Sequence, residues 1–369
     1  MRFLLSLLMI GLASWQSHAA DRFQTSAGPV TVERIVEKLN RPWAVAFLPD
    51  GGLLITERDV GILKHVAPDG SISEVSNVPE ISRDGQGGLL DLVLARDFGT
   101  TRELFLSYSE PEGFEQRTAL AVARLSDDNS TLENVRVIFR INSLSSSGSH
   151  FGGRIVEDTT GALFMTVGDR ARSSLAQDPK MHNGKVIRVN RDGSIPADNP
   201  FRTGPILPEI WSMGHRNAQG AALDEKGRLW TVSHGAAGGD EVNQPRPARN
   251  YGWPVISYGR HYSGGQIGIG TSAPGMEQPK HYWDPSIAPS GMMIYSGKLF
   301  PAWKGDIFVG SLKFDHISRL ERDDETITGE EQLFRDAYER IRDVREGPDG
   351  AIWFLSVGDR ALYRVTPAE

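Results

Sequence analysis

The chain has 369 residues, 39% hydrophobic and 24% charged, with a formal net charge of −7 at neutral pH. That composition supports a folded core, and its interspersed signs with no basic block exclude nucleic acid as the main partner. Cysteine is absent, which removes disulfides, thiolate metal sites and cysteine nucleophiles together.

Residues 1–20 read as a secretory signal peptide. Arg2 is the basic start, Phe3 to Ala13 the apolar stretch, and Ser17-His18-Ala19 the small-residue cleavage site, with cleavage after Ala19 or Ala20. The apolar stretch is too short to span a bilayer and no later run approaches that length, so stable membrane insertion is not expected. An exported chain without disulfides fits a periplasmic or secreted location. Residues 21–369 are expected to form a single catalytic domain.

The 40 glycines are spread along the chain rather than gathered in a linker, and they punctuate a repeat. Val30 to Ile35 is an early strand that closes the architecture from the N-terminal side. Pro42 to Phe47 and Leu89 to Leu94 are apolar first strands. Second strands follow tight turns at Leu53-Leu54-Ile55, Leu104-Phe105-Leu106, Leu163-Phe164-Met165, Leu229 to Val232, Ile307-Phe308-Val309 and Ile352 to Leu355, giving six copies. Turns such as Pro49-Asp50-Gly51 and Pro348-Asp349-Gly350 have the residues that start a turn and supply positive φ. Third strands read Gly184 to Val189 and Ala361 to Val365. Amphipathic helical windows are scarce, and the best, Glu330 to Arg340, is short. The pattern predicts an all-β chain, a six-bladed β-propeller of four-stranded antiparallel blades closed by both termini.

One copy breaks the apolar rule. Gly214-His215-Arg216-Asn217-Ala218-Gln219-Gly220 places polar residues where its counterparts place a core strand, a costly exchange unless a site requires it. Counting eight residues on from the turn glycines Gly161, Gly227 and Gly305 lands on Asp169, Gly235 and Lys313. Just before the first strands stand Gln86, His150, Arg216, Asn217, Gln219, Arg340 and Arg342. First strands start and second strands end on the same face of a propeller, so both sets should converge around the axis. His150 suits a general base, and Asp169 suits the group that fixes its tautomer. Arg216, Lys313, Arg340 and Arg342 would repel one another unless a polyanion sat between them.

These segments resemble the soluble quinoprotein glucose/sorbosone dehydrogenases, and among them the compact aldose sugar dehydrogenases. The resemblance covers essentially the whole mature chain. It rests on Arg41 to Ala44, Gly85 to Asp91, His150 to Arg154, Gly214 to Gly220, Gly238 to Glu241, Asn250 to Pro254 and Arg340 to Val344, in order and in phase with the blades. What it implies is a pyrroloquinoline quinone (PQQ) cofactor, calcium, and oxidation of the C1 hydroxyl of aldose sugars to lactones. His150 then takes the hydroxyl proton, Asp169 orients it and Arg216 steadies developing charge. Asn217, Gln219, Lys313, Arg340 and Arg342 correspond to cofactor contacts, Gln86 to a contact near the substrate and Trp283 to an aromatic flank. The carbonyls of Gly235 and Ala236 match ligands of a calcium ion that bridges to PQQ, with Ala236 where the family commonly has proline. Glu241 and the Tyr251 backbone resemble a second, structural calcium site, helped by Asp240. Ser149 replaces an acidic residue that the glucose enzyme has before the base. Electrons would leave to a redox acceptor of unspecified identity.

A calcium-dependent lactonase or esterase on the same fold is the alternative, and a non-catalytic binding propeller a third reading. A lactonase would place side-chain carboxylates and asparagines around an axial metal, whereas the axial residues here are mostly cationic. Long inter-blade insertions are not evident, so an open sugar pocket is expected.

Overall fold

The computed structural model describes residues 20–368, so the expected signal peptide lies outside the described residues except for Ala20. Among the described residues there are six sheets, five of four strands and one of five. Blade 1 runs outward from the axis as Pro42–Phe47, Leu53–Glu57, Ile62–Val66 and Ile72–Val75. Blades 2 to 5 begin with the inner strands Leu89–Leu94, Gly152–Glu157, Ala218–Leu223 and Pro289–Ile294. Blade 6 begins with Ile341–Glu346, continues through Ile352–Ser356 and Ala361–Pro367, and is completed by the N-terminal strand Gly28–Val36. Val32 lies opposite Val365 in that antiparallel pairing, which joins the two ends of the chain in one sheet. A further outer strand, Asp21–Thr25, extends this blade beyond the expected number.

The sequence forms these strands for a physical reason. A blade lies between two neighbours, so its second strand is buried on both faces and reads as a continuous apolar run. Leu163–Val167, Ile307–Ser311 and Ile352–Ser356 are buried at every position. One apolar cluster fills each blade junction among the described residues, for example Val45, Leu53 and Ile55 against Trp353, Leu355 and Leu362. The helical window at Glu330 is overruled by alternation, since Thr326–Leu333 is an outer strand with every second residue exposed.

Two features aim residues at the axis. In all six blades the ladder between first and second strands slips register near the entry of the first strand, as between Gly152 and Ile155 or Ile341 and Asp343. Such bulges bend a strand end and re-aim its side chains. The second feature is residues 244–280, a long segment between the third and outer strands of blade 4. This excursion lies within a blade, whereas the expectation of no long insertions concerned only inter-blade connections.

Candidate active site

The blade 3 entry presents His150, whose φ of 55° is strained for a residue with a side chain. Its imidazole Nδ1 lies 2.6 Å from Asp169 Oδ1, across the ends of the first and second strands. Asp169 is buried and also accepts the Ala171 amide at 2.8 Å on Oδ1 and the Trp253 indole N–H at 2.8 Å on Oδ2. A carboxylate that accepts at His150 Nδ1 fixes the N–H there and leaves Nε2 as the basic nitrogen. Gly168 permits this approach, because a Cβ there would meet the His150 carbonyl oxygen at 2.0 Å. From blade 2, Gln86 Oε1 accepts the His150 amide at 2.8 Å. Gln86 thus holds the backbone of the base.

Beside this pair opens an axial cavity of 530 Å³, whose wall includes Gln86, Phe151, Asn217, Gln219, Lys313 and Arg342. Arg340 and Trp43 also line it. Arg342 donates to Gln219 Oε1 at 2.9 Å, Gln219 donates to Asn217 Oδ1 at 3.1 Å, and Asn217 Oδ1 accepts the Gly152 amide at 3.1 Å. This chain of bonds joins blade 6 to blade 3 through the polar entry of blade 4. Among the described residues, Arg216, Lys313, Arg340 and Arg342 form no ion pair. Burial, together with Arg58, Arg154 and Arg340, pushes the Arg342 guanidinium down to about 9. The wall contains Arg58, Lys313, Arg340 and Arg342 against the carboxylates Asp315 and Glu339, and Lys313, Arg340 and Arg342 pair with neither, an excess of positive charge that suits an anion.

Arg216 is not in the wall of this cavity but lines a smaller neighbouring space with His234, Gly235 and Trp253, its guanidinium 5.4 Å from the Trp253 ring centre and its Nη1 donating to the Gly235 carbonyl. The Asp169 amide donates to the Arg216 carbonyl at 2.8 Å, so the base pair and Arg216 are one unit. His234, also in the cavity wall, donates from Nε2 to the Pro289 carbonyl at 2.6 Å. Burial and then Arg342 and Arg216 push His234 down to about 3, so it stays neutral.

The donors for a metal are modest. Among the described residues, no group of three or more His, Asp or Glu side chains is placed to hold a metal. The Gly235 carbonyl engages Arg216, and Gly235 and Ala236 belong to a loop braced by Asp240. Both Asp240 oxygens are occupied: Oδ1 accepts the Gly235 amide at 2.8 Å, and Oδ2 accepts the Ile287 and Ala288 amides at 2.8 and 3.1 Å. Ser286 Oγ donates to both. Asp240 therefore acts on the loop backbone rather than offering an oxygen to a metal. Glu241 differs: its carboxyl receives one bond, from Asn243 Nδ2 at 3.0 Å, and burial pushes it up to about 7. It lines a small enclosed space with Gly239, Ser257 and Trp253. Tyr251 lies nearby, stacked on His215 at 4.8 Å, though it is not part of that lining.

Residues 39–364 match the family model described as Glucose / Sorbosone dehydrogenase. The chain belongs to this family. It is 42% identical to the aldose sugar dehydrogenase YliI of Escherichia coli K12, over 99% of this chain and 98% of that protein. The crystal structure of the soluble aldose sugar dehydrogenase (Asd) from Escherichia coli in the apo-form superposes with a TM-score of 0.89 and 41% identity, covering 92% of this chain and 100% of that one. The PQQ-bound form of aldose sugar dehydrogenase (Adh) from Streptomyces coelicolor gives a TM-score of 0.76 at 26% identity, covering 91% and 98%.

Within this glucose/sorbosone dehydrogenase chain, one expected residue stands apart. Trp283 lies on the outer strand His281–Trp283 of blade 4, packed on Trp230 and Met292, with its indole N–H on Glu330 at 3.0 Å. The aromatic flank was sought there, but an outermost strand cannot reach the axis. Trp43 on the first strand of blade 1 lines the axial cavity, and Trp253 on the 244–280 segment donates to Asp169. Trp253 sat in a recognised segment, yet only its neighbour Tyr251 was singled out. Arg170 was also missed. It is buried, stacks 3.4 Å over the Phe151 ring and donates to the Ser147 and Ser149 carbonyls, fixing the loop before the base.

Proposed function

We propose that the protein is a PQQ- and calcium-dependent aldose dehydrogenase, which oxidises the C1 hydroxyl of sugars to the lactone. The observation that carries this reading is the His150–Asp169 pair at 2.6 Å beside a cavity whose Lys313, Arg340 and Arg342 form no ion pair although Asp315 and Glu339 share the wall. PQQ has three carboxylates, and Lys313, Arg340 and Arg342 with Asn217 and Gln219 fit them by charge and hydrogen-bonding capacity. When bound, PQQ would supply the quinone that takes up the two electrons from C1 as a single hydride. Calcium would be held here by the Gly235 and Ala236 carbonyls and would supply Lewis acidity, since among the described residues no group of three or more His, Asp or Glu side chains is placed to hold it.

The residues divide the work. His150 takes the C1 hydroxyl proton on Nε2 while Asp169 stabilises the imidazolium that forms. Trp253 and Ala171 hold Asp169 so that it cannot turn away from the base. Arg216 places positive charge beside the reacting centre, at the cost of its contact with the Gly235 carbonyl when a metal occupies that oxygen. Gln86 keeps the base in its strained backbone conformation. Residues 21–369 act as one catalytic domain, exported to the periplasm or beyond by the leader at 1–20, and a separate redox acceptor removes the electrons. Among the described residues no helix is long and apolar enough to cross a membrane.

The test is reconstitution of the mature protein with PQQ and Ca²⁺, followed by dye-linked turnover on a broad aldose panel. Dye reduction that disappears in His150→Ala is expected. Bound PQQ without turnover of any aldose sinks the dehydrogenase reading, and no PQQ binding sinks the cofactor. The lactonase alternative requires an axial carboxylate set, and among the described residues no group of three or more His, Asp or Glu side chains is placed to hold a metal.

A further inference from the structure

The axial cavity does not end at Arg340 and Arg342. A second cavity of 640 Å³ continues from it between the entries of blades 1 and 6, sharing Trp43, Arg58, Leu312, Arg340 and Arg342. Its remaining wall adds Arg41 and Arg360, so five arginines face one space. Among the described residues, a single carboxylate pairs with any of them: Asp59 takes Arg41 at 3.0 Å and Arg58 at 2.6 Å. Arg360 donates to the Leu39 carbonyl at 2.8 Å and Arg340 to the Leu312 carbonyl at 3.0 Å, and neither neutralises charge. Arg41, Arg340 and Arg360 are exposed, and like charges gathered around one concave space repel one another until a bound anion relieves the repulsion.

The backbone adds an independent sign. Arg41, Arg340 and Arg360 have φ of 46°, 56° and 57°. Left-handed conformations are disfavoured for residues with side chains and persist where the surroundings enforce them. Here the strained positions coincide with the cavity wall.

On the reading of the first cavity as the cofactor's, the three carboxylates of PQQ are matched by Lys313, Arg340 and Arg342. Arg41, Arg58 and Arg360 then remain, with Asp59 as the only countercharge. The base side contributes nothing to this second space: Gln86, Phe151 and Asn217 line the first cavity and not the second. A ligand there meets the cofactor cavity from the side away from His150. We propose that the second cavity is an anion-binding subsite for a small molecule with two or more carboxylate or phosphate groups. Such a molecule has two sources, an acidic electron acceptor or an acidic sugar long enough to reach across.

Inorganic pyrophosphate is the probe, titrated calorimetrically into PQQ-loaded protein and into the R41Q/R360Q double variant. Neither substituted residue belongs to the base or the proposed PQQ contacts, so turnover of a neutral aldose with a neutral dye is expected to be unchanged. Saturable binding to the loaded protein, weakened at least tenfold in the variant, is expected. Displacement of PQQ by pyrophosphate, absence of binding, or equal binding to the variant overturns the proposal. If PQQ itself fails to bind, the cofactor reading falls alone, because the same titration on the protein without PQQ still reports the arginines. Two kinetic arms assign the source. A raised KM for an anionic dye in the variant assigns the acceptor, a raised KM for a uronic acid or sugar phosphate assigns the donor, and no change in either overturns a role in turnover.

Discussion

Asp169→Asn separates orientation of the base from mere presence of a base. Asp169 serves three donors in the folded protein: His150 Nδ1 at 2.6 Å, the Ala171 amide at 2.8 Å and Trp253 Nε1 at 2.8 Å. An asparagine has one acceptor oxygen for these and an NH₂ group that must face one of them. With its oxygen toward His150, the amide collides with the Trp253 N–H and loosens the 244–280 segment. With its oxygen toward Trp253, the NH₂ forces His150 Nδ1 to accept, which moves the imidazole proton to Nε2 and abolishes the base. Hydrogen bonds to an ionised group are worth about 1.5–3 kcal/mol each, so losing one and weakening two predicts a stability loss of about 2–4 kcal/mol. The loss of general-base catalysis predicts a fall of ~10²–10⁴ in kcat, with KM for the sugar changed far less. Thermal unfolding of the loaded protein and dye-linked kinetics read the two effects separately. A kcat within threefold of wild type, in a variant that still binds PQQ, refutes the assignment of His150 and Asp169 as a working pair.

Three further outcomes follow from the same contacts. Asp91 accepts Arg154 at 3.0 Å and Arg345 at 2.7 Å on one oxygen and the Ile155 amide at 2.8 Å on the other, tying blades 2, 3 and 6 at the axis. Asp91→Asn uncompensates buried charge and should cost about 3–5 kcal/mol, read as a clearly lower Tm, and an unchanged Tm contradicts this. His215 is pushed down to about 3 by burial and by Lys185, so it stays neutral in the folded protein while the unfolded chain protonates it below its ordinary value. Its stabilising contribution is complete above pH ~6.5 and is lost as pH falls toward 3, amounting to roughly 2 kcal/mol at pH 5. His215→Phe keeps the stacking on Tyr251 and should flatten the loss of stability between pH 6.5 and 5; an unchanged slope argues against it. If a cation neutralises Glu241, EDTA lowers the Tm of wild type but not of Glu241→Gln, whereas equal responses in both proteins exclude a metal there.

The blades were legible because burial on both faces writes each second strand as an unbroken apolar run, flanked by turn residues. The contact between His150 and Asp169 was legible for a related reason: both repeat the blade phase with polar residues in apolar slots. Aromatic partners were harder. Trp283 and Trp253 look alike in sequence, and only the third dimension shows that one ends an outermost strand while the other lies on a segment folded back over Asp169. Residues 244–280 have no period to read, so where they land depends on tertiary contacts such as Gln177 to Asn250 and Arg260 to Ala237. Arg170 was hidden because nothing in a sequence says that an arginine will bury itself on backbone carbonyls.

The polar entry at Gly214 to Gly220 is stable because its groups find partners outside its own blade. Arg216 offers its carbonyl to Asp169, and Asn217 offers its side chain to Gly152, both in blade 3. Gln219 accepts from Arg342 of blade 6, and its carbonyl takes Arg154 at 3.0 Å. Buried polar networks stabilise only when they are satisfied throughout. The residues that would grip an anion are thereby bonded to those that hold the base, with two side chains between Arg342 and the strand that follows His150. The entry strand of blade 4 thus gives up apolar packing at its inner edge for polar groups that bond across to blades 3 and 6.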